Sequence, residues 1–83
     1  MTDTNSPADV LGLLRRHLLA LRPDLSADNI QPNCSMRELG VNSLDRLDVV
    51  VATLSDLSIE VPNDELAAAT DLSELVEIIH RHQ

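Results

Sequence analysis

Eighty-three residues leave room for a single domain, and six arginines and no lysines against fourteen acidic residues give a formal charge of -8. That charge repels phosphate backbones, and the absence of any aromatic residue removes a base-stacking platform, so nucleic acid is excluded as a partner. Cys34 is the lone cysteine, which excludes an internal disulfide, and it does not cluster with His17, His80 and His82 at structural-zinc spacing.

Residues 1–6 read as a disordered polar tail, and residues 7–83 as the domain. Ser6-Pro7 supplies an N-cap hydroxyl followed by proline at the first helical position. Val10, Leu11, Leu14, Leu18 and Leu21 then recur at helical spacing, which predicts a helix over about Pro7–Arg22, ended by Pro23. His17 beside Arg15 and Arg16 reads as part of a solvated cationic cluster. From Asp24 to Asn42 no period holds, and the stretch is longer than most connections in compact domains. Leu25, Ile30, Met36 and Leu39 are the side chains expected to pin it over a core.

Asn42-Ser43 opens a second helix to about Leu57, with Asn42 as the capping residue and Asp45 in the first turn, where the helix dipole favours negative charge. Ser58–Pro62 is a short link, and Asn63–Ala68 a short third helix. Thr70 or Asp71 caps a last helix with Leu72, Leu75, Val76 and Ile79 on one stripe. His80, Arg81 and His82 suit its C-terminus, where cationic groups are favoured. The fold class is all-α: a small four-helix bundle of three longer helices and one short one, with a long first loop.

The second helix is apolar over too wide an arc. At about 100° per residue, Leu44, Leu47, Val51 and Leu54 share a stripe that Val50 and Leu57 widen, and Val49 lies further round. Asp45, Asp48 and Asp56 fill the remainder. Either the bundle wraps this helix on several sides, or one apolar edge meets solvent beside carboxylates as a docking surface. The arc by itself leaves both open.

The run Glu38-Leu39-Gly40-Val41-Asn42-Ser43-Leu44-Asp45-Arg46 decides between them. It resembles the attachment-site signature of acyl carrier proteins, in which Leu-Gly-x-Asp-Ser-Leu precedes an acidic helix. The similarity continues without gaps through Val61-Pro62, the short helix and Thr70 with its apolar last helix, so it covers nearly the whole chain. What the resemblance implies is a free-standing carrier of the acyl-carrier fold, not an enzyme. Ser43 would bear a 4′-phosphopantetheine arm taken from coenzyme A and hold acyl groups as thioesters. Helix-terminal N–H groups and the dipole favour a phosphate at that place. Leu44, Asp45, Arg46, Leu47, Asp48 and Val51 would form the surface read by partner enzymes. Val49, Val50, Leu57 and Leu72 would line an acyl cavity.

The expected partners are a phosphopantetheinyl transferase and acyltransferase, ketosynthase or ketosynthase-like enzymes with basic docking patches. The carrier itself is expected to be a monomer. No apolar run approaches a membrane span and Met1–Asp9 lacks a secretory-signal profile, so with the lone thiol a cytoplasmic location and no membrane partner are expected. No serine has a His and Asp partnership visible in the sequence, and Cys34 has no neighbouring base, so no catalytic residue and no metal site are assigned.

Two positions depart from the family pattern. Asn42 stands where aspartate usually precedes the serine, which bears on transferase choice. Arg46 is a positive charge on an otherwise acidic face, there either to select a partner enzyme or to pair with a nearby acid. With the arginine-only basic set, these features point to polyketide biosynthesis. The Asn42–Arg46 run is similar to donor carriers of β-branching cassettes. Fatty-acid synthesis, an aminoacyl or aryl carrier, and a non-covalent helical adaptor without the arm are the alternatives.

Overall fold

The computed structural model describes residues 6–83, so the expected tail, Ser6 apart, lies outside the described residues. Four α-helices make up the regular structure: α1 (Pro7–Leu21), α2 (Ser43–Leu57), α3 (Asn63–Ala68) and α4 (Leu72–Arg81). No strand occurs among the described residues. None of these helices is long and apolar enough to cross a membrane.

The helix starts follow the capping chemistry. Ser6 accepts from the Asp9 amide and Asp9 accepts from the Ser6 amide, each at 3.2 Å, which makes a reciprocal box in front of Pro7. Val10, Leu14 and Leu18 of α1 are fully buried. The helix stops one residue short of the predicted end, with Arg22 as the C-cap before Pro23, because a residue that precedes proline is pushed out of helical backbone. Asp71, not Thr70, caps α4 and accepts from the Glu74 amide at 2.8 Å. Leu72, Leu75, Val76 and Ile79 are buried as the stripe requires, and Ile78 joins them.

The central element is α1, which packs against both α2 and α4, while α3 leans on α4. The core is wholly aliphatic. In the long loop Ile30 and Met36 are buried, and Leu25 and Leu39 pack partly buried against the core, so all four expected pins engage. One 3₁₀ turn, Ala27–Asn29, interrupts the loop; three residues are too few for any period to show. The first two amides of α4 donate back to this loop, Leu72 to the Cys34 carbonyl at 2.9 Å and Ser73 to that of Pro32 at 2.8 Å.

Two polar side chains lie elsewhere than their sequence context implied. His17 is not part of a solvated cluster: its Nε2 meets Asp56 Oδ2 at 2.6 Å and ties α1 to α2. Arg15 reaches over to donate to the Ile30 carbonyl at 2.8 Å. Both partners come from other elements, so spacing along α1 carried no signal for them. Thr53 is fully buried, and its hydroxyl is satisfied within the helix by the Val49 carbonyl at 2.9 Å.

Candidate functional site

The approach to Ser43 is a folded turn. Ser35 and Glu38 exchange hydrogen bonds, the Ser35 amide to Glu38 Oε1 at 3.2 Å and the Glu38 amide to Ser35 Oγ at 3.0 Å. This Ser-x-x-Glu pair was readable as a capping box, although the turn it starts does not become a helix. Gly40 follows at φ +80°, backbone that a side chain at this position would strain. Val41 then closes the turn with its amide on the Met36 carbonyl at 2.9 Å.

Arg22, at the end of α1, holds this turn from outside. Its Nη1 donates to the Gly40 carbonyl at 2.8 Å, while Nε and Nη2 fork onto the two Asp24 oxygens at 3.0 and 2.9 Å. Those hydrogen bonds, more than the charge itself, hold Asp24 below the usual carboxylate range, and they raise Arg22 in turn. Nothing in the spacing of Arg22 marked it as a brace for the turn.

Asn42 has extended backbone and its Oδ1 accepts from the Asp45 amide at 2.8 Å, so it caps α2. Ser43 is the first helical residue and is exposed. Amides in a first turn have no intrahelical acceptor. Asn42 takes that of Asp45, which leaves those of Ser43 and Leu44 pointing out beside the Ser43 hydroxyl. A phosphodiester on that oxygen would be met by two N–H groups and the positive end of the helix dipole. The residues present fit a phosphopantetheine arm; when bound, the arm supplies the thiol that carries an acyl group.

Two grooves meet at Ser43. The larger, about 600 Å³, lies between the loop and the start of α4, with Met36, Arg37, Val41 and Leu72 in its walls. The smaller, about 220 Å³, lies between α2 and α3, walled by Leu47, Val50, Leu66 and Ala67. Arg46 lines both. Its Nη2 donates to the carbonyls of Leu66 at 2.9 Å and Ala69 at 3.4 Å, so it serves neither as a free cation nor as an acid's partner.

The wide apolar arc of α2 is divided. Leu44, Leu47 and Val51 stay 75 %, 47 % and 54 % exposed, with Asp48 exposed and Asp45 half-buried beside them. Leu54 shares their stripe but is buried. Val50 and Leu72 reach Ser43 from the two different grooves. Val49 lines a depression shared with His17 and Ala20 of α1, and Leu57 packs half-buried against the core at the far end of α2. Of the four side chains expected around an acyl chain, the three on α2 are therefore spread round the helix, and Leu72 of α4 lies across the larger groove. No cluster of His, Cys, Asp or Glu among the described residues would hold a metal ion.

In the first turn of α4 Glu74 accepts from both the hydroxyl and the amide of Thr70, and these bonds lower its pKa. A carboxylate with a lowered folded-state value stabilises the fold above its unfolded value and loses that contribution as the pH falls through the folded one. Wild type should therefore melt above Glu74→Gln at neutral pH. The gap should close below the ordinary glutamate value of 4.5. Melting curves over that range check this, and a gap independent of pH would contradict it.

The comparisons with known proteins agree with this geometry. The chain is 28 % identical over 71 residues to the polyketide biosynthesis acyl-carrier-protein AcpK of Bacillus subtilis, an alignment covering 86 % of this chain and 87 % of that one. It is 34 % identical over 76 residues to an acyl carrier protein of Streptomyces coelicolor, covering 90 % and 83 %. Among solved structures it superposes on the acetyl-donor carrier crystallised with the HMG synthase of the curacin biosynthetic pathway. The TM-score is 0.84 at 27 % identity, over 93 % of this chain and 99 % of that one. The family model for the phosphopantetheine attachment site matches residues 8–79, and with the Streptomyces relative that match shows that the chain belongs to the acyl carrier protein family.

Proposed function

We propose that Ser43 is the attachment point, and that the chain carries acyl groups on its phosphopantetheine arm through polyketide biosynthesis. The observation that carries this reading is the exposed Ser43 hydroxyl at a helix start, beside two free amides and at the meeting of two grooves. In the transfer, Ser43 Oγ forms a bond to the phosphorus next to the pantetheine of coenzyme A. The bond from that phosphorus to the adenosine bisphosphate breaks, and the serine proton leaves to a base of the transferase.

The surface offered to partners is the exposed Leu44, Leu47 and Val51 edge, with Asp45 and Asp48 next to it and Arg46 at its border. Carboxylates around an apolar strip favour an enzyme with a basic rim and an apolar cleft. The likeness to a carrier crystallised with an HMG synthase, together with that to AcpK, favours a ketosynthase-like partner and an acetyl-donor role in β-branching. Val50 and Leu72, in the walls of the two grooves that meet at Ser43, are the aliphatic side chains that an acyl chain there would press upon, with Val49 and Leu57 packed further off. Half-buried, unpaired Cys34 fits a reducing cytoplasm.

Intact mass tests the reading. After incubation with coenzyme A and a broad-specificity transferase, the chain should gain the mass of one phosphopantetheine. An unmodified chain would instead support a non-covalent helical adaptor.

A further inference from the structure

The shortest helix is held at its end by a side chain of another. Six residues are too few for a helix that stands on its own. At the start of α3 Pro62 provides no side-chain cap, no basic residue lies in its last turn, and Leu66 is its one buried residue. The carbonyls at such a helix end need donors. Arg46 of α2 provides one, at 2.9 Å from Leu66 O and 3.4 Å from Ala69 O.

Arg46 is also three residues after Ser43, which places both on one face of α2. Its guanidinium stands where the two grooves meet and takes part in the walls of each. An alkyl chain that goes deeper between Val50 and Leu66 than the existing groove of about 220 Å³ pushes α3 away from α2. That movement pulls the Leu66 and Ala69 carbonyls off the guanidinium.

We propose that Arg46 is a latch on the α2–α3 groove, a positioning residue that limits how far an acyl chain on Ser43 enters between Val50, Leu66 and Ala67. The proposal rests on Ser43 bearing the arm. With the latch closed, a short acyl group stays at the surface for partner enzymes, and a longer chain enters the groove only by displacing a charge-assisted hydrogen bond.

Amide hydrogen exchange and backbone amide shifts test this on wild type, Arg46→Ala and Arg46→Lys. Before loading, the α3 amides of Arg46→Ala should exchange about tenfold faster than in wild type, the effect of one lost charge-assisted hydrogen bond. Amides of α1 and α4 should keep their protection. Each chain is then loaded with octanoyl-phosphopantetheine, and its mass is read first. Wild type that takes no arm defeats the Ser43 reading, while the exchange rates still decide whether Arg46 holds α3. In loaded chains, shifts at Val50, Leu66 and Ala67 relative to the non-acylated arm should be at least about twofold larger in Arg46→Ala than in wild type. Arg46→Lys should fall between them. Wild-type exchange in α3 of Arg46→Ala, or equal octanoyl shifts in the two chains, would overturn the latch. If Arg46→Ala also loses protection in α1 and α4, Arg46→Lys carries the comparison, and wild-type behaviour in it overturns the proposal.

Discussion

Ser43→Ala is expected to remain folded and to gain no mass from coenzyme A under conditions that modify wild type completely. The fold should not notice the change, because Asn42 rather than Ser43 caps α2 and the serine side chain is exposed. Alanine suits the first turn of a helix, so the shift in stability should stay within about 0.5 kcal/mol. What is lost is the one oxygen placed between the free amides and the grooves. Far-UV circular dichroism and intact mass on the same sample separate the two effects. Mass gain that persists in Ser43→Ala would move the arm to another hydroxyl and undo the assignment.

Ile79→Ala should have the largest effect on stability, about 3 kcal/mol, because Ile79 is fully buried in an aliphatic core with no rings to collapse into the space. A domain of this size commonly has only about 5–10 kcal/mol in all, and the melting temperature should fall by about 15 °C. Leu44→Ala removes a side chain of similar size from α2 and should change stability by less than about 0.5 kcal/mol, since Leu44 is 75 % exposed. Thermal melts of the two variants test the division of apolar residues between core and surface. A Leu44→Ala loss as large as that of Ile79→Ala would mean that the outer edge of α2 is covered within the monomer.

The helices were legible because their signals are local. Capping residues, proline stops and apolar spacing lie within a turn or two of what they specify, and they place all four elements to within a residue or so. The place of Ser43 at an exposed helix start was legible for the same reason, since its surroundings are consecutive in the chain. Side-chain partners were not. Arg46 meets α3, His17 meets α2, Arg15 meets the loop, and Arg22 braces a turn eighteen residues away. Each pairing depends on how helices dock, and periodicity does not report that. The division of the α2 arc belongs between these cases: its excess width was visible, but Leu54 turns inward while Val51, on the same stripe, does not.

The hydrogen bonds from Leu72 and Ser73 to the carbonyls of Cys34 and Pro32 bear on the order of events at the ribosome. Ser43 is synthesised well before these two amides exist. Until they do, the stretch in front of the serine lacks the element that fastens it, and closing so wide a loop comes late in folding. A modifying enzyme that recognises the finished turn would thus meet its substrate only after α4 has been made.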